Sequence, residues 1–296
     1  MERVFKIIAL IVIAAAGSLS VSGKNYIVSA DSMHGTNYMA CVDSADYYIK
    51  KELWQDAEYF TLKALKTEPG NSANWLLWSN LGEIRMRLGK YEDAVDAFDV
   101  ALNRAPKARA VLSNRATALI ELGRDVEAIS DLSKIIESDS ISQWPLAMRG
   151  ALLISKGELS AAETDFKVLR RNYPKDAGAL KGLARIAGLQ GDADKAVSLY
   201  RSAVEIDPDE ESWFYLITIL GNGGKLQEAG ESLREAMKQY PRNGNFFLLR
   251  GWLHKLSYEN DSAEIDRKLA IEYGADPKLI ESYYQSAVPV TKGSGK

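Results

Sequence analysis

The sequence predicts an all-α protein, an α-solenoid of about seven helix-turn-helix repeats closed by a C-terminal capping helix. Seven alanines recur with gaps of 37, 34, 34, 34, 33 and 34 residues: Ala57, Ala94, Ala128, Ala162, Ala196, Ala229 and Ala263. Glycines and prolines recur at constant offsets from these period alanines. A fixed period of about 34 is typical of stacked units that complete their apolar faces only against their neighbours.

The composition is that of an ordinary globular protein, with 46% hydrophobic and 26% charged residues among 296. In a solenoid this length sets the number of repeats rather than the number of domains. The formal net charge of -3 gives no electrostatic footprint for nucleic acid. We therefore expect no nucleic-acid partner.

The first 23 residues differ from the rest of the chain. Arg3 and Lys6 precede the apolar run 7–16, and small residues follow it. This pattern predicts a secretory signal peptide over 1–23, followed by a linker over 24–37. The run has ten residues, whereas a membrane span needs about 20. We expect no integral membrane span in the mature chain, and an uncleaved anchor is the alternative.

Cys41 is the only cysteine, so the chain has neither an internal disulfide nor a paired-thiol metal site. It lies 25 residues beyond Ala16, too far from the apolar run for a lipoprotein signal. We expect Cys41 to pack in the core of the first helix, and pairing with another molecule is the alternative.

The unit 75–108 shows what each recurring residue does. Its first helix has an apolar stripe at helical spacing, and so does its second: Trp78, Leu81 and Leu88, then Val95, Phe98 and Leu102. Gly89 lies in the turn between them, where a positive φ costs glycine little. Gly82 and Ala94 are small where the two helices cross. Pro106 stops the second helix.

The pattern continues through the solenoid, which we place at 38–287. Its repeats span 38–71, 75–108, 109–142, 143–176, 177–210, 210–243 and 244–277. The turn glycine is present in five of the seven repeats, and Glu52 and Tyr258 replace it in the end repeats. The long first gap predicts an extra helical turn at 71–75. A capping helix over 278–287 and a disordered tail over 288–296 complete the chain.

The order of residues in the unit 75–108 resembles the tetratricopeptide repeat: Trp78, Leu81, Gly82, Tyr91, Ala94, Phe98, Ala101 and Pro106. Only Arg85 departs, where the family has an aromatic residue. The resemblance implies a right-handed superhelix whose first helices line a concave groove that binds protein or peptide partners. A signal followed by a full-length array is similar to exported tetratricopeptide proteins of Gram-negative bacteria, which implies a periplasmic or envelope-associated protein.

In this family, repeat positions 2, 5, 6, 9, 12 and 13 point into the groove. These positions change along the array from polar to basic to aromatic, and the candidate peptide-binding residues are Asn80, Asn114, Trp144, Lys181, Arg185, Phe214, Tyr215 and Trp252. Asn80 and Asn114 would form hydrogen bonds with the peptide backbone, and Lys181 and Arg185 would bind an acidic group of the peptide. The aromatic residues would contact its apolar side chains. The alternative is that the aromatic residues pack against the neighbouring repeat. One variant of the family binds the terminal carboxylate of chaperones through a set of lysine, asparagine and arginine side chains. Only Asn80 matches that set here, which disfavours a protein that binds chaperone C-termini.

No catalytic residues, cofactor or metal site are predicted. The two histidines, His34 and His254, are far apart, and no hydrolytic or metal-binding motif is present. We interpret 221–224 as an extended turn rather than a phosphate cradle. The leading hypothesis is a non-catalytic adaptor or scaffold. The alternatives are an obligate structural subunit of an envelope or secretion complex and, more distantly, a hydrolase on a helical-repeat scaffold.

Overall fold

The computed structural model describes residues 37–287. The predicted signal peptide, residues 24–36 of the linker, His34 and the tail 288–296 lie outside the described residues. Within that range the chain forms fifteen helices and no strand. The prediction of an all-α fold is confirmed.

Consecutive helices pair into seven hairpins, each with a first helix A and a second helix B, and a single helix follows the last hairpin. The helices are α1 (Tyr38–Lys50), α2 (Trp54–Thr67), α3 (Asn74–Arg87), α4 (Tyr91–Arg104), α5 (Arg109–Glu121), α6 (Asp125–Ser138), α7 (Gln143–Ser155), α8 (Leu159–Asn172), α9 (Ala177–Leu189), α10 (Ala193–Ile206), α11 (Glu210–Asn222), α12 (Leu226–Gln239), α13 (Gly244–Leu256), α14 (Asn260–Glu272) and α15 (Pro277–Ser286).

Contacts divide the chain into two compact units, with the boundary between Leu77 and Trp78. In the first unit the rings of Tyr48 and Phe60 stack with centroids 5.2 Å apart and join α1 to α2. Cys41 is buried in α1, as predicted.

The segment between α2 and α3, also in the first unit, does not form the extra helical turn predicted at 71–75. It makes two separate turns instead, in which the amide of Asn71 donates to the Glu68 carbonyl and the amide of Asn74 to the Asn71 carbonyl. The Asn74 side chain donates to the same Glu68 carbonyl at 2.7 Å and accepts from the Tyr38 hydroxyl at 3.0 Å. Side-chain capping by asparagine therefore replaces helix here.

The second unit, from Trp78 on, is a stack in which the period alanines lie where the two helices of a hairpin cross. Ala94, Ala128, Ala162, Ala196 and Ala229 are each 0% exposed. A second set of small residues admits large rings within and between hairpins. A Cβ added to Gly150 or Gly182 would lie 2.8 or 2.5 Å from the ring of Phe166. Close helix packing therefore explains why these positions repeat.

The turn within each hairpin needs a left-handed residue. Glycine supplies it in five hairpins, with φ between +71° and +83°: Gly89, Gly123, Gly157, Gly191 and Gly224. Glu52 and Tyr258 take the same place in the two end hairpins, with φ of +57° and +64°. The turn geometry is thus kept where the glycine is lost, at the cost of backbone strain.

Three hairpins of the second unit carry a buried ion pair that sequence reasoning missed. An arginine at repeat position 7 bonds an aspartate sixteen residues later: Arg115 to Asp131, Arg149 to Asp165 and Arg250 to Asp266, with closest N to O distances of 2.7, 2.7 and 2.5 Å. The aspartate side chains are only 1 to 3% exposed. Leucine occupies position 7 in three other hairpins: Leu81, Leu183 and Leu216.

The array ends in α15, the predicted capping helix. Asp276 caps its first turn by accepting from the Lys278 amide, and Pro277 is its first residue. The Tyr284 hydroxyl donates to the Ala263 carbonyl at 2.5 Å, which fixes α15 against the last hairpin. None of the helices in 37–287 is long and apolar enough to cross a membrane.

Candidate peptide-binding face

Two pairs of A helices from neighbouring hairpins of the second unit contact each other, α7 with α9 and α11 with α13. These contacts place A helices of this unit side by side. We call the surface formed by their repeat positions 2, 5, 6, 9, 12 and 13 the inner face.

Aromatic side chains gather on the inner face around α11. The ring of Phe214 lies 5.9 Å from Tyr215 and 5.8 Å from Tyr283, and Tyr215 stacks on Tyr200 at 5.7 Å. Tyr283 also meets Trp252 edge to face at 5.3 Å. We call these five residues the aromatic cluster. Three helices besides α11 contribute to it, α10, α13 and α15. The cluster is therefore assembled by tertiary packing and not by one helix.

The members of the aromatic cluster differ in what they offer a ligand. Tyr200 and Trp252 are only 3% and 2% exposed. The missing side chain of Gly221 provides the space for the Trp252 ring. Phe214, Tyr215 and Tyr283 are half-buried. Tyr200 and Trp252 therefore form the buried base of the cluster, and Phe214, Tyr215 and Tyr283 present apolar surface to a ligand.

The tyrosine hydroxyls of the cluster stay neutral at ordinary pH. Burial raises the pKa of Tyr200, Tyr215 and Tyr283 above that of a free tyrosine, and the charge of Glu211 adds to this for Tyr200 and Tyr215. The hydroxyls of Tyr283 and Thr218 lie 3.0 Å apart in a hydrogen bond. The cluster thus combines apolar rings with uncharged hydrogen-bonding groups.

The predicted basic pair is compensated inside the protein. Lys181 Nζ lies 2.9 Å from an Asp209 carboxylate oxygen and 3.5 Å from one of Glu211. Burial works to lower the pKa of Lys181, but the hydrogen bonds and the negative charges of Asp209 and Glu211 together outweigh it and raise the pKa. The charge of Arg185 acts to lower the pKa of Tyr200, so this guanidinium is near the cluster. Two cations and two carboxylates give this edge no net charge.

The other candidate residues lie on earlier hairpins. Asn80 is exposed on α3, Asn114 is half-buried on α5 and Trp144 is half-buried on α7. The indole nitrogen of Trp144 is buried and has no hydrogen-bond partner within residues 37–287. The structure therefore brings together Phe214, Tyr215 and Trp252, while the asparagines stand apart from them along the array.

Two features of this region were missed or misread from sequence. Tyr283 was assigned only to the cap, although counting the repeat on from residue 278 places it at position 6, a groove position. The interpretation of 221–224 as an extended turn is wrong for Gly221 and Asn222, which belong to α11, and Gly221 accommodates Trp252. Only the last two glycines of that segment form the turn.

Repeated helical hairpins, buried small residues at the helix crossings and left-handed turn residues define a helical-repeat array of the solenoid class. A sequence model of the tetratricopeptide repeat matches residues 43–107, 79–140 and 148–211. These matches cover more than half of the chain, which therefore belongs to the tetratricopeptide repeat family.

Individual relatives agree with this assignment. A tetratricopeptide repeat protein from Parabacteroides merdae has a solved structure that is 25% identical, covers 85% of this chain and 98% of its own, and gives a TM-score of 0.67. DnaJ homolog subfamily C member 3 from Bos taurus is 31% identical over 96 residues, 32% of this chain. That match spans only 19% of the relative's length.

The solved structure of YrrB, a tetratricopeptide repeat protein described as having an unusual peptide-binding site, shares the fold. It is 20% identical, covers 60% of this chain and 90% of its own, and gives a TM-score of 0.54. The repeats and these structural neighbours define a protein-interaction scaffold, a fold that is generally non-catalytic. Across residues 37–287, no group of three or more His, Cys, Asp or Glu side chains is placed to hold a metal ion.

Proposed function

We propose that this protein is a non-catalytic adaptor that binds an extended or helical peptide segment of a partner protein on the inner face of hairpins five to seven. One observation carries the proposal: the half-buried rings of Phe214, Tyr215 and Tyr283 form an apolar surface with neutral hydroxyls. Such surfaces dominate binding energy at protein interfaces, because aromatic side chains present large area at small entropic cost.

The charges beside the cluster decide which part of the ligand contributes most. Lys181 already has two carboxylate partners, so a ligand carboxylate must displace Asp209 or Glu211 to reach it. Exchange of one carboxylate for another yields little net energy. Apolar contact with the aromatic cluster therefore provides the affinity, and the compensated charges around Lys181 add little to it.

The second part of the proposal is the compartment. We propose that the protein acts in the cell envelope after export, on the basis of the signal-like segment 1–23. Fractionation of cells followed by N-terminal sequencing tests it. A periplasmic or envelope-bound chain supports export, and a chain found only in the cytoplasm with its first residues intact contradicts it.

Site-specific photo-crosslinking tests the binding face. A photoreactive amino acid at Leu189, a 59% exposed inner-face residue of α9, is compared with one at Ser198, an exposed residue of α10. We expect discrete partner adducts from position 189 only. The double change Phe214→Ala and Tyr215→Ala should remove them.

The control for that double change is Tyr240→Ala. Tyr240 is a half-buried aromatic residue that packs against the same core cluster from the end of α12. Tyr240→Ala removes one half-buried aromatic ring from the same core, but this ring lies off the inner face. Adducts that persist in the double variant, or that arise only from position 198, contradict the proposed face. The second result favours an obligate subunit that uses its outer surface.

A further inference from the structure

We propose that two copies of this chain associate as a two-fold dimer, in which the basic end of hairpin four in one copy meets the acidic end of hairpin five in the other. The basic end consists of Arg170, Arg171 and Lys175, and the acidic end of Glu205 and Asp207. None of these residues belongs to the aromatic cluster or to the inner face, so the inference is independent of the proposed inner-face function.

The two ends lie at equivalent places of neighbouring hairpins. Arg171 and Glu205 are 34 residues apart, which is one repeat. Both are exposed in the last turn of a B helix, Arg171 in α8 and Glu205 in α10. Equivalent residues of adjacent repeats follow one another along a solenoid. Positive and negative charge therefore stand side by side on one edge of the second unit.

Neither end is compensated by the chain itself. The side chains of both ends are exposed, and within residues 37–287 they form no ion pair. Elsewhere in the second unit, opposite charges of neighbouring hairpins do pair, Arg124 with Glu92 at 3.1 Å and Lys225 with Asp194 at 2.7 Å. The edge of hairpins four and five thus keeps both of its charged sets available to another molecule.

The acidic end lies where negative charge is unfavourable. Glu205 is in the last turn of α10 and Asp207 is its C-cap, and that turn contains no basic residue. The carbonyl end of a helix carries partial negative charge, so it repels carboxylates and attracts cations. Cations supplied by another molecule would therefore stabilise both carboxylates.

Hydrogen bonds hold the loops of this edge in place. The Tyr173 hydroxyl donates to the Ile141 carbonyl at 2.8 Å, and the Tyr240 hydroxyl donates to the Pro208 carbonyl at 3.0 Å. Two isoleucines of the edge are open to contact, since Ile141 is 47% exposed and Ile206 is 42% exposed. A preformed edge loses little conformational entropy on binding.

The order of the charges selects the occupant. A uniformly acidic partner would be repelled by the acidic end, and a uniformly basic partner by the basic end. A matching surface must carry both signs in the reverse order. A second copy, turned about a two-fold axis between hairpins four and five, presents that order, because its Glu205 faces Arg171 and its Arg171 faces Glu205. One contact then compensates both ends in both copies.

Sedimentation velocity of the whole chain tests the proposal through two charge reversals. At low salt we expect a reversible dimer with a dissociation constant of about 1–100 µM, as for a small charged interface. Arg171→Glu and Glu205→Arg should each weaken it by about tenfold or more, because each places like charges opposite one another twice. An equimolar mixture of the two variants should regain parental affinity, since opposite charges then face each other at both contacts.

The matched control is Arg104→Glu, which reverses an exposed arginine in the last turn of another B helix, α4. It should change the affinity less than about twofold. Circular dichroism should show parental helicity in every variant, because each substitution is at an exposed position.

Three results would overturn the proposal. One is a parent chain that stays monomeric at low salt up to about 1 mM. Another is a mixture of Arg171→Glu and Glu205→Arg that associates no better than either variant alone. The third is loss of the dimer in the double variant Phe214→Ala and Tyr215→Ala, which would assign the contact to the inner face.

Discussion

Replacing the buried ion pair of the fourth hairpin by an apolar pair should reveal how the repeats tolerate charge in their core. The second hairpin has Leu81 and Ala97 at the positions that Arg149 and Asp165 occupy in the fourth, and both are 0% exposed. The double change Arg149→Leu and Asp165→Ala therefore rebuilds a pair that the same chain already uses.

The three variants should differ strongly in stability. Arg149→Leu leaves the Asp165 carboxylate, only 3% exposed, without its two guanidinium bonds of 2.7 and 2.9 Å. Removing one partner of such a pair costs about 3–5 kcal/mol. Asp165→Ala should cost less, about 1–2 kcal/mol, because the Arg149 side chain is 22% exposed and keeps its bond to Ser133 Oγ at 2.9 Å.

The double variant should lie within about 1–2 kcal/mol of the parent, since apolar replacement of a buried pair is often neutral and only the bond to Ser133 is lost. Urea unfolding followed by circular dichroism gives the free energies for the double-mutant cycle. A double variant as unstable as Arg149→Leu alone would refute the reasoning, because packing of the arginine stem, not an unpaired charge, would then dominate.

Three further predictions address the helix crossings, the turns and the tyrosines. Ala128→Leu or Ala162→Leu should overpack a crossing that is 0% exposed and lower stability by about 1–3 kcal/mol, whereas parental melting would contradict the repeat register. Tyr258→Gly should relieve the strain of a φ of +64° and raise the free energy of unfolding in urea by about 0.5–1 kcal/mol. A lower free energy of unfolding would show that the contacts of the Tyr258 ring contribute more than the strain costs. Because burial raises the pKa of Tyr200 and Tyr215 in the folded state, stability should be full below about pH 10 and fall as pH rises further. Tyr215→Phe should flatten that loss in unfolding measured against pH, and an unchanged slope would contradict it.

The hairpin architecture could be predicted because it is set by residues whose role is local. Close approach of two helices requires a small residue where they cross, as at Ala94, and a left-handed turn favours glycine, as at Gly89. Both requirements recur from hairpin to hairpin. The prediction failed between α2 and α3, where Asn74 side-chain bonds compete with helix formation. That competition depends on the direction of the Glu68 carbonyl, which the spacing of residues along the sequence does not show.

The candidate site was only partly predictable, because its properties depend on pairs of residues far apart in sequence. The aromatic character of Phe214 and Tyr215 follows from repeat position. The partners of Lys181 are 28 and 30 residues away, and they become visible only when the start of α11 is placed beside α9. The Arg149 and Asp165 pairing had a readable signal, since the same two residue types recur sixteen apart in three hairpins.

The crosslinking yield at position 189, measured with and without Phe214→Ala and Tyr215→Ala, tests the central claim most directly. The account predicts partner adducts in the parent and in the Tyr240→Ala control, and their loss in the double variant, with helical circular dichroism retained in all three. Equal adduct yields in the parent and the double variant would contradict the claim that the aromatic cluster on the inner face binds the partner.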